Sequence, residues 1–247
     1  MIADTRLACE CLASPNHGER KGALDMVLLH YTGMASAQAA LERLCDPQAE
    51  VSAHYLVHED GRIVQMVPEA RRAWHAGKAF WAGESDINSR SIGIEIVNPG
   101  HEYGYVDFPD AQIDAVTALC LDVVERHAIA PERVLAHSDV APGRKVDPGE
   151  RFPWARLAAS GVGHWVKPAP VVSGRFFQQG AIGQPVEAFQ TMLALYGYGV
   201  DVNGVYDEKT AQVVEAFQRH FRPERVDGVA DASTITTLHQ LLSLLKA

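Results

Sequence analysis

The chain has 247 residues, of which 47% are apolar and 21% charged, a composition typical of a folded globular protein with one large core and a smaller second domain. Its formal net charge of −9 leaves no excess of basic side chains to neutralise phosphates, which argues against a nucleic-acid partner. No stretch approaches the roughly 18 apolar residues that span a bilayer, and the first residues lack the basic-then-apolar pattern of an export signal.

The cysteines are too few and too scattered to define a disulfide framework in a chain of this length. They are Cys9, Cys11, Cys45 and Cys120. Cys9 and Cys11 lack the spacing and the second pair that a structural zinc site needs. We therefore expect free thiols.

The first elements are predicted as strands and one helix. The apolar run Asp25–His30 predicts a buried strand that ends at His30. Ser36 is suited to cap the helix that follows. The segments 53–58 and 62–67 flank a turn that contains a glycine, which predicts a β-hairpin.

The middle of the chain continues this alternation of strands and helices. Residues 91–97 alternate between two faces, so Glu95 points away from the isoleucine face of the predicted strand. A helix is predicted from Pro109 to about His127, and residues 133–136 predict a strand that leads into His137. The alternation predicts an α/β fold with a sheet covered by helices.

The last third of the chain is predicted to form a separate domain. Residues 166–173 contain two prolines and no periodicity, which is typical of a semi-rigid linker between a domain at 1–165 and a domain at 174–247. An internal repeat follows, because residues 202–207 and 226–231 have closely similar sequences. Each copy ends in an aspartate suited to cap a helix, so we predict a small all-α domain of three helices.

A loop rich in turn-forming residues, 137–149, carries a histidine, a lysine and an aspartate. With His30, the residues His137 and Asp147 provide the three protein ligands that a catalytic zinc ion usually has. Glu95 can then transfer protons, and Lys145 can stabilise a developing oxyanion. Spacing alone does not select this set, because most histidines in proteins are surface or hydrogen-bonded core residues.

Five short motifs occur in the order found in a known enzyme family. They are Leu29–Thr32, Ser52–Tyr55, His75–Gly77, Ser91–Glu95 and His137–Gly149. By these motifs the chain, from about Ser14 to Trp154, resembles the N-acetylmuramoyl-L-alanine amidases of the amidase 2 family, the AmpD and AmiD group.

The resemblance implies a zinc amidase fold with a central mixed β-sheet flanked by helices. It implies a Zn²⁺ ion bound by His30, His137 and Asp147, with Glu95 as catalytic acid and base and Lys145 as transition-state stabiliser. The implied reaction is hydrolysis of the amide bond between N-acetylmuramic acid, or its 1,6-anhydro form, and the L-alanine of the stem peptide.

Further residues in or beside these motifs are expected to line the substrate groove. They are Tyr31, His54, Trp74, His75 and Asn88. Aromatic faces suit a sugar or a peptide, so these residues are candidates for substrate binding.

Residues from about Gly174 to Leu245 resemble the type 1 peptidoglycan-binding domain. Such a domain is expected to raise the local substrate concentration by tethering the enzyme to a polymer. The alternative is three helices that pack only for stability. The implied partners are peptidoglycan or muropeptides, and a monomer is favoured.

Two other functions are compatible with the sequence: a non-catalytic protein that binds or senses peptidoglycan, and a zinc peptidase that cuts within the stem peptide. The location is also open to two interpretations. The start of the chain favours the cytoplasm, whereas a wall-binding domain favours the periplasm or cell envelope.

Overall fold

The computed structural model describes residues 2–172, 174 and 176–245. The strands are β1 (Glu10–Cys11), β2 (His17–Glu19), β3 (Met26–Tyr31), β4 (Tyr55–Val57), β5 (Ile63–Gln65), β6 (Arg71–Ala73), β7 (Ser91–Ile96) and β8 (Val134–Ala136). The helices are α1 (Ala37–Cys45), α2 (Ile87–Arg90), α3 (Gly100–Tyr103), α4 (Asp110–His127), α5 (His137–Val140), α6 (Trp154–Ala159), α7 (Gln184–Tyr196), α8 (Glu208–Phe221) and α9 (Ala232–Leu244).

The main sheet has the strand order β1-β5-β4-β7-β3-β8, and β2 pairs with β6 in a separate antiparallel ribbon. Strands β4, β7, β3 and β8 run parallel, whereas β4 and β5 form an antiparallel hairpin. Ile92, Ile94 and Ile96 are fully buried on one face and share a core with Ile113 and Val116 of α4. The expected mixed sheet flanked by helices is confirmed.

Several local predictions are also confirmed. The Ser36 side chain accepts a hydrogen bond from the Ala39 N–H and caps α1. Gly61, in the hairpin turn, has a φ of +86°, a conformation that favours glycine. Helix α4 has nearly the bounds that were predicted. The four cysteines are free.

The C-terminal domain contains the three predicted helices α7, α8 and α9. Asp207 and Asp231 cap α8 and α9 by accepting hydrogen bonds from the N–H groups of Thr210 and Thr234, both at 2.8 Å. None of the helices in the described ranges is long and apolar enough to cross a membrane.

The internal repeat has a structural cause, because one glutamine holds each of the two repeated loops. Gln190 and Gln218 occupy matching positions in α7 and α8, and the Oε1 atom of each accepts two backbone hydrogen bonds. The donors are Asn203 and Gly204 in the first loop and Asp227 and Gly228 in the second, at 2.9 to 3.1 Å. The two copies therefore form the same helix-and-loop unit.

The two domains pack against each other and share one hydrophobic core. Trp81 of the N-terminal domain packs against Tyr196 and Tyr198 of the C-terminal domain, with ring centroids 6.1 and 4.8 Å away, inside one shared hydrophobic core. Gly197 lies against the Trp81 ring at a distance that leaves no room for a side chain. The predicted semi-rigid linker thus connects two domains that also share a core, and the tethering role of the C-terminal domain stays a prediction.

Within the predicted linker, Ala169 is hydrogen-bonded to α9. The Ala169 N–H donates to Thr237 Oγ1 at 3.0 Å, and its carbonyl oxygen accepts from Ser233 Oγ at 2.5 Å. The domain limits 1–165, 166–173 and 174–247 stay predictions. Of these ranges, Met1, Ser173, Arg175, Lys246 and Ala247 lie outside the described residues.

Candidate active site

A pocket of about 400 Å³ opens at the edge of the sheet where β3, β7 and β8 end. Eight of the ten residues predicted for the site line it: His30, Tyr31, Trp74, His75, Glu95, His137, Lys145 and Asp147. This position is expected from the topology, because the carboxyl ends of parallel strands meet at one edge and ligands bind there.

His30, His137 and Asp147 are buried and their side chains converge on one point. Nδ1 of His30 lies 2.9 Å from Nδ1 of His137 and 3.1 Å from Oδ2 of Asp147. Nδ1 of His137 lies 2.9 Å from the same Oδ2 atom. His30 lies in β3 and His137 follows the neighbouring strand β8. The Ser138 N–H donates to the Asp147 carbonyl oxygen at 3.0 Å and fixes the third residue beside them.

The outer nitrogens of both histidines are also fixed. Nε2 of His137 donates to the Ala76 carbonyl oxygen at 3.0 Å, which orients the ring so that Nδ1 faces His30 and Asp147. Nε2 of His30 lies 3.0 Å from Nδ1 of His75. Asn88 supports both contacts, because its Oδ1 accepts the backbone N–H groups of His75 and Ala76 at 3.0 and 2.8 Å.

The electrostatics of this cluster favour its metal-binding protonation state. Burial and the neighbouring His137 lower the pKa of His30 to about 4, so this ring is neutral near pH 7. Burial alone raises the pKa of Asp147, but His137 and His30 together lower it well below its usual range. The cluster therefore places a neutral His30 imidazole beside an ionised Asp147 carboxylate.

These residues fit a zinc ion. Ligand atoms on a tetrahedron with bonds of roughly 2.0–2.1 Å lie about 3.3 Å apart, so the observed atoms need to move outward by only a few tenths of an ångström. The donor set of two imidazoles and one carboxylate is one that catalytic zinc sites use, and it leaves a position open. A divalent cation also balances the buried negative charge of Asp147.

Glu95 lies beside this cluster on β7, where it is the register partner of His30 on β3. Its Oε2 atom is buried and has no hydrogen-bond partner among the described residues. Burial and the nearby Asp147 raise the pKa of Glu95 well above its usual value. A carboxyl group in such a position can exchange protons near neutral pH.

Two basic residues follow one another in the loop before Asp147. Lys145 lines the pocket, and its backbone N–H donates to the Ala141 carbonyl oxygen at 3.0 Å. Arg144 also lines the pocket, but its guanidinium donates to the carbonyl oxygens of Ala76 and Lys78 at 2.6 and 2.7 Å. Of these two residues, Lys145 is the one available to a bound molecule, while Arg144 supports the loop.

Two predicted substrate-binding residues lie outside the pocket lining. His54 is fully buried, accepts a hydrogen bond from the Gly93 N–H at 2.9 Å, and lies 3.1 Å from the Arg71 carbonyl oxygen. Burial and the charge of Arg20 lower its pKa to about 3. Asn88 holds the segment behind the ligands, as described above. Both residues therefore make structural contacts behind the pocket, and their role in substrate binding stays a prediction.

Sequence reasoning missed several residues of the pocket rim, among them Arg43, His101 and Glu102. His101 lies in α3, with Nδ1 at 3.0 Å from the Tyr31 hydroxyl and Nε2 at 3.2 Å from a Glu150 carboxylate oxygen. The segment begins like a zinc-binding His-Glu pattern, but no second histidine follows at the required spacing. No other signal marked it.

Comparisons with known proteins agree with this geometry. A family model for N-acetylmuramoyl-L-alanine amidase matches residues 20–150, and one for a peptidoglycan binding domain matches residues 182–238. The N-acetylmuramoyl-L-alanine amidase AmiD of Escherichia coli is 39% identical over 233 residues, which cover 89% of this chain and 82% of that protein.

Two solved structures extend the comparison. The complex of E. coli AmiD with anhydro-N-acetylmuramic acid-L-Ala-D-γ-Glu-L-Lys has 35% identity and a TM-score of 0.77, covering 93% of this chain and 98% of that one. AmpDh3 of Pseudomonas aeruginosa in complex with anhydromuramic pentapeptide has 29% identity and a TM-score of 0.75, covering 99% and 98%. Because the family model spans more than half of the chain and the similarity to AmiD extends over both domains, the chain belongs to the N-acetylmuramoyl-L-alanine amidase family of enzymes.

Proposed function

We propose that this chain uses zinc to hydrolyse the amide bond between N-acetylmuramic acid, including its 1,6-anhydro form, and the L-alanine of the stem peptide. The observation that carries the proposal is the convergence of His30, His137 and Asp147 beside Glu95 in one pocket of an amidase-family chain. The proteins of known structure with bound anhydromuramic peptides support the choice of substrate.

The metal would be held by Nδ1 of His30, Nδ1 of His137 and Oδ2 of Asp147, the atoms that converge. A bound zinc ion supplies Lewis acidity and lowers the pKa of water to about 7. The backbone and side-chain contacts around the two imidazoles keep their Nδ1 atoms directed to the same point.

Glu95 handles the protons of the reaction. It accepts a proton from the attacking water and delivers it to the nitrogen of L-alanine as the carbon–nitrogen bond breaks, so the products are a free carboxyl group on the sugar side and a peptide amine. Its raised pKa and the absence of a competing partner for Oε2 among the described residues suit both steps.

Lys145 stabilises the negative charge that develops on the carbonyl oxygen. It reaches the pocket from the loop that also carries Asp147. A cation aimed at a developing oxyanion contributes most in a site shielded from water, as at this buried sheet edge.

The C-terminal domain is proposed to contact the glycan or peptide of the substrate polymer. The family model for a peptidoglycan binding domain supports this role. Because the domain is packed against the N-terminal domain, it would present the polymer to the pocket in a fixed orientation.

Mass spectrometry of the products tests the reaction. Purified protein is incubated with anhydro-N-acetylmuramic acid carrying a tripeptide, and the expected products are the free sugar acid and an intact peptide that begins at L-alanine. Cleavage at a bond inside the tripeptide would identify a stem peptidase. Unchanged substrate would identify a binding protein.

Metal removal tests the cofactor. Dialysis against a chelator should abolish the activity, and one equivalent of Zn²⁺ should restore it. Activity that persists in protein shown by elemental analysis to be metal-free would overturn the zinc assignment.

A further inference from the structure

Asp139 links the segment that carries a proposed metal ligand to the C-terminal domain. It lies in α5, two residues after His137, and is fully buried. Its Oδ1 accepts the Tyr198 hydroxyl at 2.7 Å, and its Oδ2 accepts His220 Nδ1 at 2.6 Å and the Ala136 N–H at 2.8 Å. Two of the three partners of this buried carboxylate thus belong to the C-terminal domain.

The third contact of Asp139 is with Ala136, the residue before the proposed metal ligand His137. Ala136 is the last residue of β8, and its N–H is held one residue before His137. The next residue, Ser138, donates its N–H to the Asp147 carbonyl oxygen at 3.0 Å. A shift of the Asp139 side chain would therefore displace His137 and Asp147, because Ala136 and Ser138 flank His137 and carry these two hydrogen bonds.

Helix α8 contacts this segment at a second point. The Gln212 amide lies directly over Gly143, in the loop between α5 and Lys145, so a side chain at position 143 would require Gln212 to move. His220, on the same helix, stacks on the Trp154 ring of the N-terminal domain, with centroids 3.7 Å apart. The helix thereby contacts the segment from 137 to 147 near its start, through His220 and Asp139, and near its middle, at Gly143.

We propose that Tyr198 and His220 are positioning residues for the metal site, which act through Asp139 to hold His137 and Asp147 in ligand geometry. The C-terminal domain is then a structural part of the metal centre as well as a polymer contact. This inference rests on the proposed function, because it requires that His30, His137 and Asp147 bind zinc.

Two substitutions remove the contacts with little change in shape. Tyr198→Phe deletes only the hydroxyl, and His220→Phe deletes the donor but keeps an aromatic ring against Trp154. Direct contacts of metal ligands typically contribute about 10- to 100-fold to metal affinity. Tyr198 and His220 act one contact further out, through Asp139, so we expect each variant to bind Zn²⁺ more weakly by about 10-fold, the lower end of that range. Competition with a chromophoric chelator measures this affinity independently of catalysis.

Tyr196→Phe is the matched control. Tyr196 also bonds across the domain interface, its hydroxyl lying 2.9 Å from His164 Nδ1, but it makes no hydrogen bond to Asp139. It should lower the melting temperature of the zinc-free protein about as much as Tyr198→Phe while keeping wild-type zinc affinity. His220→Asn, which places an amide donor near the position of Nδ1, should recover zinc affinity relative to His220→Phe.

The turnover of a small soluble muropeptide gives a second readout, since polymer binding does not contribute to it. We expect kcat at limiting zinc to fall for Tyr198→Phe and to recover at saturating zinc, with KM unchanged. Wild-type zinc affinity in Tyr198→Phe and His220→Phe would overturn the inference, and if His220→Phe does not fold, Tyr198→Phe alone decides. Failure of the wild-type protein to bind zinc would instead overturn the proposed function.

Discussion

Glu95 and His30 are register partners on the adjacent parallel strands β7 and β3. Residues in register on neighbouring strands, about 4.8 Å apart, direct their side chains to the same face of the sheet. The proton-transferring group and a metal ligand are therefore held together by the sheet itself, whereas Lys145 and Asp147 come from a loop. Substitution of Glu95 should consequently change the chemistry without disturbing the architecture.

We expect Glu95→Gln to lower kcat by about 10²- to 10⁴-fold, because general acid–base catalysis contributes on that order. Zinc content and the free energy of unfolding should stay close to wild type, since the buried Oε2 has no hydrogen-bond partner among the described residues to lose. Glu102→Gln, at the exposed pocket rim, is the control and should change kcat by less than about threefold. A Glu95→Gln enzyme with near wild-type kcat would remove Glu95 from the mechanism.

Lys145→Met should lower kcat by about 100-fold, the usual effect of losing one group that stabilises an oxyanion. KM and zinc affinity should change little, because Lys145 is neither a proposed metal ligand nor paired with one in the structure. Lys78→Met, an exposed lysine outside the pocket lining, provides the control. If Lys145→Met mainly raises KM, the lysine binds the ground state of the substrate instead.

The stability of the N-terminal domain should depend on pH through Glu69. This nearly buried carboxylate accepts two hydrogen bonds from Arg126 at 2.5 and 2.7 Å and one from the Tyr55 hydroxyl at 2.6 Å. Although burial raises its pKa, these partners and His127 lower it from the usual 4.5 to about 2. Because the folded pKa is depressed, the stabilisation is complete above about pH 4.5 and is lost as the pH falls towards 2.

Urea unfolding of the wild-type protein and Glu69→Gln at several pH values measures this contribution. The shift corresponds to about 3 kcal/mol, so wild type should exceed the variant by roughly that amount at pH 7. The difference should shrink as the pH falls below 4.5. A difference that is constant with pH would show that packing, and not ionisation, makes the glutamate favourable.

The two repeat glutamines should contribute similarly to stability. Gln190→Ala or Gln218→Ala leaves two loop N–H groups without their acceptor, which costs about 1–3 kcal/mol for each group that stays buried. We expect a loss of about 2–4 kcal/mol in the free energy of unfolding for each variant. Gln38→Ala, on the exposed surface of α1, should cost less than about 0.5 kcal/mol.

The sequence predicted those parts of the site that local pattern and motif order determine. His30 at a strand end, Glu95 on the face opposite the isoleucines, and the turn-rich loop to Asp147 all reach one pocket. The strand alternation that placed Glu95 is a direct consequence of the two-residue period. The positions of these residues can therefore be predicted from the local sequence.

The remaining features depend on contacts between distant parts of the chain. Asp139 is separated from Tyr198 by 59 residues and from His220 by 81, so no local pattern indicated their hydrogen bonds. His54 lies within a family motif, but its burial against Gly93 follows from sheet packing that periodicity does not reveal. The linker prolines likewise predicted a domain boundary, but no local pattern indicated that the two domains share a core around Trp81.

That shared core also constrains how the gene can change. A recombination event that exchanged the C-terminal domain at the linker would separate Trp81 from Tyr198 and Asp139 from His220, and would expose apolar surface on both sides. A C-terminal domain taken from another protein would therefore have to supply matching partners for Trp81 and Asp139.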